Sequence, residues 1–260
     1  MAQVSLIAQG LPIINLQGVA VSDGEIIVPT LDDRLLRVSQ NGDVTTLANV
    51  SRYGIPFGIV EKNGNFLITV SGEEIGDRLL RVTKSGFFFT VADLEPVCGS
   101  FGGPFGVAAG NDFAIVAIAT DISNSQGCLI RVQHSRVSIF ADTGSFGVPF
   151  TVIATQDGFI AGCETGQLLR VSLDGIVTPF LNLADAGFGI PFNLIQVGAS
   201  LVITSNTGNL LQLDPDRNIS VIADFRALGF GIPSGVAAWD NGYIVTTNAG
   251  NLLQVTTNIL

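Results

Sequence analysis

The feature that most constrains the fold is a recurring four-residue motif of glycine, any residue, proline and phenylalanine. Five copies occupy residues 54–57, 102–105, 147–150, 189–192 and 231–234, and the last of them ends in serine instead of phenylalanine. Their first glycines are separated by 48, 45, 42 and 42 residues. A regular period in this range predicts a repeat architecture in which each unit is one small supersecondary element.

A second repeated segment gives six copies. It reads apolar, arginine or glutamine, apolar, and is centred on Arg37, Arg81, Arg131, Arg170, Gln212 and Gln254. Around it, apolar stretches of roughly four to seven residues alternate with Gly, Asn and Asp turns, which indicates short strands and leaves no room for ordinary helices. Four strands in each unit of 40 to 45 residues are typical of a propeller blade. The sequence therefore predicts an all-β, six-bladed β-propeller that forms a single domain over residues 1–260.

The two ends of the chain indicate how the ring closes. The last copy ends after its third strand, at residues 252–255, and lacks a fourth. Residues 4–9 match the fourth strands at 137–142 and 219–224 position by position. We therefore expect the N-terminal strand to complete the last blade, which protects the sheet edges of the ring.

Composition excludes several classes of partner. The chain has 12 Lys and Arg against 22 Asp and Glu, a net charge of −10, so we expect neither nucleic acid nor an anionic membrane surface to bind. Its apolar runs are shorter than the roughly 18 to 20 residues of a spanning helix. The N-terminus lacks a basic, apolar leader, which favours a cytoplasmic location unless a leader was removed. Three cysteines without a metal-binding spacing are expected to be buried free thiols: Cys98, Cys128 and Cys163.

The repeat resembles NHL-type and gluconolactonase-type six-bladed propellers. The resemblance rests on Pro-Phe-Gly at 56–58, followed by a strand, a turn and a second strand through residue 69, and it extends over all six copies. In gluconolactonase-like enzymes it implies a divalent metal held by Glu, Asn and Asp near the strand-opening glycine. The nearest positions in this sequence carry no carboxylate: Gln17, Phe57, Phe105, Phe150, Phe192 and Ser234. Because divalent cations of this kind need oxygen ligands, we expect no metal, which argues against the lactonase chemistry of these enzymes. We expect no other cofactor.

The phenylalanine column has two interpretations. The rings pack between neighbouring blades, or they line the channel mouth as an apolar pocket for a small apolar or aromatic molecule. Copies that depart from the repeat matter most: Thr151 and Asn193 replace the strand-opening glycine, and Ser234 replaces the phenylalanine. The predicted ligand-binding residues are Phe57, Phe105, Phe150, Phe192, Asn193, Ser234 and Gln17.

Polar candidates lie in the loops after the second strands, at Asp32, Asp33, Glu73, Glu74, Asp121, Glu164, Asn206 and Asn248. We single out Glu164 as a candidate general acid or base, because a carboxylate beside an apolar pocket has a raised pKa; a solvated loop carboxylate is the alternative. The lone His134 is placed in a turn on the opposite face. A column of aspartates after the fourth strands is assigned to turn hydrogen bonds: Asp93, Asp142, Asp185 and Asp224.

Two classes of function remain. The leading hypothesis is a small-molecule-binding propeller with an aromatic-lined site at the channel mouth, and it leaves open whether the protein is a metal-independent enzyme of secondary metabolism. The alternative, implied by the NHL resemblance, is a non-catalytic scaffold that binds another protein through one face of the ring. A divergent metal-dependent lactonase ranks last.

Overall fold

Six four-stranded antiparallel sheets follow one another along the chain and form a ring. The structure is a computed structural model that describes residues 2–73, 75–98 and 102–257, without the side chain of Cys98. In each blade the four strands are consecutive neighbours, and the first is the innermost strand, next to the axis. The predicted all-β six-bladed propeller is confirmed.

The strands are numbered in chain order. Blade 1 contains β2 (Ala20–Ser22), β3 (Glu25–Pro29), β4 (Arg34–Val38) and β5 (Val44–Asn49). Blade 2 contains β6 (Ile55–Lys62), β7 (Asn65–Ser71), β8 (Arg78–Thr83) and β9 (Phe88–Asp93). Blade 3 contains β10 (Gly103–Ala109), β11 (Ala114–Asp121), β12 (Gln126–Gln133) and β13 (Arg136–Asp142).

Blade 4 contains β14 (Pro149–Thr155), β15 (Gly158–Cys163), β16 (Gln167–Ser172) and β17 (Val177–Asn182). Blade 5 contains β18 (Pro191–Val197), β19 (Ser200–Ser205), β20 (Asn209–Leu213) and β21 (Ile219–Asp224). Blade 6 contains β22 (Pro233–Trp239), β23 (Gly242–Thr247), β24 (Leu252–Thr256) and β1 (Gln3–Ala8). The short helix α1 (Glu95–Cys98) and a 3-10 turn (Gly144–Phe146) lie in connections between blades.

The N-terminal strand closes the ring as predicted. Strand β1 pairs antiparallel with β24, and the register places Gln3 opposite Thr256 and Val4 opposite Val255. The last blade therefore takes three strands from one end of the chain and its fourth from the other end. Among the described residues, no helix is long and apolar enough to cross a bilayer.

The hydrophobic core lies between the blades. It divides into six clusters, and each cluster joins two neighbouring sheets. The cluster between blades 6 and 1, for example, packs Trp239 and Ile244 against Ile26 and Leu36. Because strand side chains alternate between two faces, the central strands of each sheet supply both neighbouring clusters. This explains why those strands are almost continuously apolar.

The inner strands of neighbouring blades approach closely at the axis. A Cβ added to Gly106 would lie 2.7 Å from Thr151 Cα, and one added to Gly235 would lie 2.7 Å from the Gly18 carbonyl carbon. Glycine is required there because the adjacent backbone occupies the space of a side chain. A second-strand threonine completes some of these contacts: Thr204 Oγ1 donates to Ser234 O at 2.8 Å, from blade 5 to blade 6.

Antiparallel pairing gives the ring two different faces. The connection face carries the connections between blades, the start of each inner strand and the loops after the second strands. The hairpin face carries the turns between first and second strands and between third and fourth strands. The candidate residues in the Gly-x-Pro-Phe motifs and the second-strand loops therefore all belong to the connection face.

Candidate ligand-binding site

A cavity of about 300 Å³ lies on the propeller axis. The inner strand of every blade contributes to its wall, mostly with aliphatic residues that include Val19, Ile59, Val107, Val152, Leu194 and Val236. Glu61 is the ionisable side chain among the described lining residues, and its Oε1 accepts a hydrogen bond from the Gly64 amide at 2.6 Å. The wall can therefore exclude water around an apolar molecule and offers little to a charged one.

The phenylalanine column lies at the connection-face end of the axis, one residue before the cavity lining begins. The lining includes Gly58 and Gly106 but not the preceding Phe57 and Phe105. The Phe57 and Phe105 ring centroids are 5.9 Å apart, and those of Phe105 and Phe150 are 5.2 Å apart, both in edge-to-face geometry. Phe192 is buried. Three rings thus contact one another across blades 2 to 4, and the cavity occupies the half of the axis nearer the hairpins.

Asn193 is the predicted ligand-binding residue that lines the cavity. Its Oδ1 accepts a hydrogen bond from the Val236 amide of blade 6 at 3.3 Å. Its Nδ2 makes no hydrogen bond with a described residue, so a donor remains for a ligand. Thr151, the other replacement of the strand-opening glycine, also lines the cavity and is buried. Both departures from the repeat therefore contribute polar groups to a mainly aliphatic wall.

Gln17 and Ser234 occupy the same column as the phenylalanines and are fully buried. The Gln17 side chain accepts from the Ile14 amide at 2.9 Å and donates to Pro56 O at 3.0 Å, so it links blades 1 and 2. Ser234 Oγ is buried without a hydrogen-bond partner among the described residues. Burying a hydroxyl without a hydrogen-bond partner costs about 1–3 kcal/mol of stability. Ser234 therefore places an unsatisfied polar group at the connection-face end of the axis.

The donor set at this end of the axis does not fit a divalent metal. Four of its six positions are phenylalanines, which have no ligand atoms, and the Gln17 amide is already hydrogen-bonded at both ends. Hard divalent cations need several oxygen ligands, usually including carboxylates. Among the described residues, no group of three or more His, Cys, Asp or Glu side chains could hold a metal ion. The metal site implied by the gluconolactonase resemblance therefore has no counterpart in this column.

Glu164 forms a hydrogen bond that two other blades repeat. Its side chain accepts from the Val148 amide at 3.3 Å, and its own amide donates to Val148 O at 2.9 Å. Asn206 and Asn248 make equivalent pairs of bonds to residues that also lie sixteen positions earlier, Ile190 and Ile232. This bond fastens the second-strand loop to the start of the inner strand. The constant offset was visible in the sequence, and a catalytic role for Glu164 stays a prediction.

The remaining loop carboxylates form local contacts. Arg34 and Thr30 hydrogen-bond Asp32, and the Arg34 bond is the main cause that lowers the Asp32 pKa. Asn124 hydrogen-bonds Asp121 and lowers its pKa in the same way. Asp33 has a left-handed backbone with φ of 61° in the neighbouring turn. Glu73 lies in a turn, and Glu74 lies outside the described residues.

The aspartate column has the predicted structural role in three blades. Oδ1 of Asp93, Asp142 and Asp224 accepts a hydrogen bond from a backbone amide two or three residues later. In blade 4 the assignment of Asp185 was wrong, because β17 ends at Asn182 and the Asn182 side chain accepts from the Ala184 amide at 2.9 Å. The asparagine performs the same turn function, so a search for aspartate alone selected a residue three positions too late.

The histidine and the cysteines lie as the sequence indicated. His134 is exposed in a hairpin-face turn, at a small cleft of about 310 Å³ between blades 2 and 3. Cys128 and Cys163 are buried free thiols. Burial, followed by the negative charge of Asp142, raises the pKa of Cys128 to about 11, and burial beside Glu164 raises that of Cys163 to about 12. Neither thiol has the lowered pKa of a reactive nucleophile. The predicted burial of Cys98 lies outside the described side chains.

The ring is similar to several solved structures. A structural genomics protein of unknown function from Bacteroides thetaiotaomicron matches 98% of this chain over 76% of its own length, with a TM-score of 0.75 and 14% identity. Virginiamycin B lyase from Staphylococcus aureus matches 92% of this chain over 79% of its own, with a TM-score of 0.62 and 18% identity. A glucose dehydrogenase matches 98% over 99%, with a TM-score of 0.71 and 12% identity. At such identities the similarity shows the propeller fold alone.

Sequence comparisons add no family. No known protein-family profile matches the chain, and no curated protein matches it in sequence.

Proposed function

We propose that the axial cavity binds a small, mainly apolar molecule that carries a hydrogen-bond acceptor such as a carbonyl oxygen. The observation that carries this proposal is the aliphatic cavity of about 300 Å³ to which all six inner strands contribute. That volume is at the lower end of the range of ligand pockets, and pockets with few polar groups in an apolar wall are typical of small-molecule sites. The phenylalanine column lies at the connection-face end of the same axis.

The polar requirement on the ligand comes from Asn193. Its Oδ1 is engaged by the Val236 amide, whereas its Nδ2 has no partner among the described residues. A ligand in the cavity would cover this half-buried donor, which then gains from a ligand acceptor, whereas a hydrocarbon of the same shape would leave it unpaired. Binding should therefore discriminate a ketone from its hydrocarbon isostere. The resemblance to gluconolactonase-type and NHL-type propellers supports the architecture of the site and not the choice of ligand.

Thermal unfolding with acetophenone and with the similarly shaped cumene tests the proposal. A ligand at ten times its Kd stabilises the native state by about 1.4 kcal/mol, which in a protein of this size raises Tm by roughly 3–6 °C. We expect this shift with acetophenone and a smaller one with cumene. Asn193→Asp keeps the acceptor for Val236 and removes the donor, so it should abolish the preference for the ketone.

A matched pair of variants locates the binding site. Ala238 is exposed and lines the hairpin end of the cavity, and Ala154 is exposed at the equivalent position of blade 4, outside the cavity lining. We expect Ala238→Phe to remove the acetophenone shift and Ala154→Phe to keep it. Equal shifts in both variants would place the ligand elsewhere and refute the proposal. The scaffold alternative predicts no shift with either compound and a change in Tm with a partner protein.

A further inference from the structure

A second cavity lies away from the axis, between blades 4 and 5. It has a volume of about 690 Å³ and belongs to the hairpin face. Its floor is apolar and consists of Ile160, Leu201 and Leu213, all of them buried and packed in the cluster between these two blades. Its rim is polar. A cleft with an apolar floor and charged groups at one edge fits an amphipathic ligand better than a purely apolar one.

Two arginines meet at the rim of this cleft on one aromatic ring. The Arg170 guanidinium carbon lies 4.3 Å from the Phe180 ring centroid, and that of Arg217, from the neighbouring blade, lies 5.2 Å from the same centroid. Arg170 and Phe180 line the cleft. Neither arginine side chain makes an ion pair or hydrogen bond with a described residue, although the chain carries 22 acidic against 12 basic side chains. The two guanidinium groups therefore keep their hydrogen-bond donors available.

The carboxylates of the cleft are partly engaged in their own turns. Both oxygens of Asp214 accept from Asn218, at 2.8 Å from the backbone amide and 2.9 Å from Nδ2. Asp174 accepts from the Ser172 hydroxyl. Asp157 contributes a third negative charge to the rim. These charges oppose a ligand with several negative groups, whereas a single carboxylate can be shared by the two guanidinium groups.

This arrangement is specific to one blade interface. The equivalent arginine of blade 1, Arg37, is ion-paired with Glu25 at 3.0 Å. Those of blades 2 and 3 each approach a different phenylalanine without a second arginine: Arg81 at 5.8 Å from Phe89 and Arg131 at 4.2 Å from Phe113. Blades 5 and 6 carry glutamine there. Blade packing does not require a second arginine on the ring, because the other interfaces pack without one.

We propose that the cleft between blades 4 and 5 binds an amphipathic monocarboxylate, whose carboxylate is held by Arg170 and Arg217 and whose apolar body lies on Ile160, Leu201 and Leu213. This site is separate from the axial cavity and goes beyond the function proposed for it. Guanidinium groups stacked on an aromatic ring are restrained in orientation, which reduces the entropy lost when they bind a carboxylate.

Isothermal titration calorimetry of the full chain with octanoate, octanol and octylammonium tests the charge requirement. We expect octanoate to bind with 1:1 stoichiometry and more tightly than octanol by at least tenfold, and octylammonium not to bind. Higher salt should weaken octanoate binding, because the rim is exposed to solvent. Octanol binding as tightly as octanoate, or octylammonium binding more tightly, would overturn the proposal.

Three arginine variants test the assigned residues. Arg170→Gln and Arg217→Gln should each weaken octanoate at least tenfold, whereas Arg81→Gln should change its Kd by less than twofold. Arg81 is the matched control, since it is exposed, occupies the same strand position and stacks on a fourth-strand phenylalanine. Gln212 and Gln254 occupy that position in blades 5 and 6, so Arg170→Gln is compatible with the fold. An equal loss in all three variants, or no loss in Arg170→Gln, would refute the assignment.

The two proposed sites can fail separately. Arg170→Gln should leave the acetophenone shift intact, and Ala238→Phe should leave octanoate binding intact. Loss of octanoate binding in Ala238→Phe, with binding retained in Arg170→Gln, would place the carboxylate ligand on the axis and overturn the cleft proposal. A missing acetophenone shift would refute the axial site and leave the octanoate result unaffected.

Discussion

The close approach of inner strands predicts opposite effects for the same substitution at two positions of one strand. Gly106 and Gly103 both lie in β10, and neither has a left-handed backbone. A Cβ at Gly106 would lie 2.7 Å from Thr151 Cα and 2.9 Å from Val152 N, whereas a Cβ at Gly103 would lie 3.6 Å from Ser71 Oγ, an ordinary contact. Only the first substitution therefore forces blades 3 and 4 apart.

The expected magnitudes follow from these contacts. In Gly106→Ala the obstacle is backbone, which cannot rotate away, and overpacking of this kind costs about 1–3 kcal/mol. Alanine also restricts the unfolded chain and so stabilises by about 0.4–1 kcal/mol where the native site accepts it. We expect Gly106→Ala to lose about 2 kcal/mol, equivalent to roughly 4–8 °C in Tm. Gly103→Ala should raise Tm by about 1–4 °C.

Differential scanning calorimetry of both variants and the unsubstituted chain measures the difference. Urea unfolding provides a second measurement, in which the midpoint should fall for Gly106→Ala without a change in slope. If Gly106→Ala unfolds within 1 °C of the unsubstituted chain, or if both variants shift in the same direction, backbone proximity does not explain the strand-opening glycines Gly58, Gly106 and Gly235.

Three further predictions concern ring closure, a loop contact and pH. Deletion of residues 1–8 should lower Tm and promote association through the unpaired edge of β24, and a peptide of residues 2–9 added in trans should restore Tm, as followed by size-exclusion chromatography and calorimetry. In urea unfolding, the free energy of unfolding of Glu164→Asn should lie within about 0.5 kcal/mol of that of the unsubstituted chain, because Asn206 and Asn248 make the same bond. Glu164→Ala loses the bond and should lose about 1 kcal/mol. A larger loss for Glu164→Asn than for Glu164→Ala would contradict this structural role. Because Arg34 lowers the Asp32 pKa from 3.8, this carboxylate contributes stability above pH 3.8 that disappears as pH falls through its folded value, and Asp32→Asn should reduce the pH dependence of Tm in that acidic window only.

The architecture could be predicted from sequence because its physical requirements repeat. Inner strands of neighbouring blades approach closely at the axis, so glycine recurs at positions equivalent to Gly106. The turns after the fourth strands need an acceptor for a free backbone amide, so aspartate recurs at positions equivalent to Asp142. The strand that completes blade 6 could be assigned because β1 carries the fourth-strand pattern. A requirement that all blades share produces the same residue type at regular intervals, and six copies are enough to detect that period in the sequence.

The candidate site was harder to predict because it depends on distances across the ring. The sequence placed Phe57 and Asn193 near the axis, but it does not show that the cavity begins one residue after the phenylalanines. The contact of Arg217 with Phe180 joins a hairpin of blade 5 to the outer strand of blade 4. Neither residue belongs to a repeated motif that would predict this contact. Such contacts depend on how neighbouring sheets twist, which local patterns do not encode.

The two replacements of the strand-opening glycine lie in neighbouring blades. Thr151 of blade 4 and Asn193 of blade 5 replace the strand-opening glycine and add polar groups to the axial cavity. The same two blades form the cleft of about 690 Å³ at which Arg170 and Arg217 share Phe180. The interfaces between equivalent blades have the same packing requirements, so packing alone does not explain a departure in two blades. Features that packing does not explain are therefore the ones to test for ligand binding: Thr151 and Asn193 at the axial cavity, and Arg170 and Arg217 at the cleft.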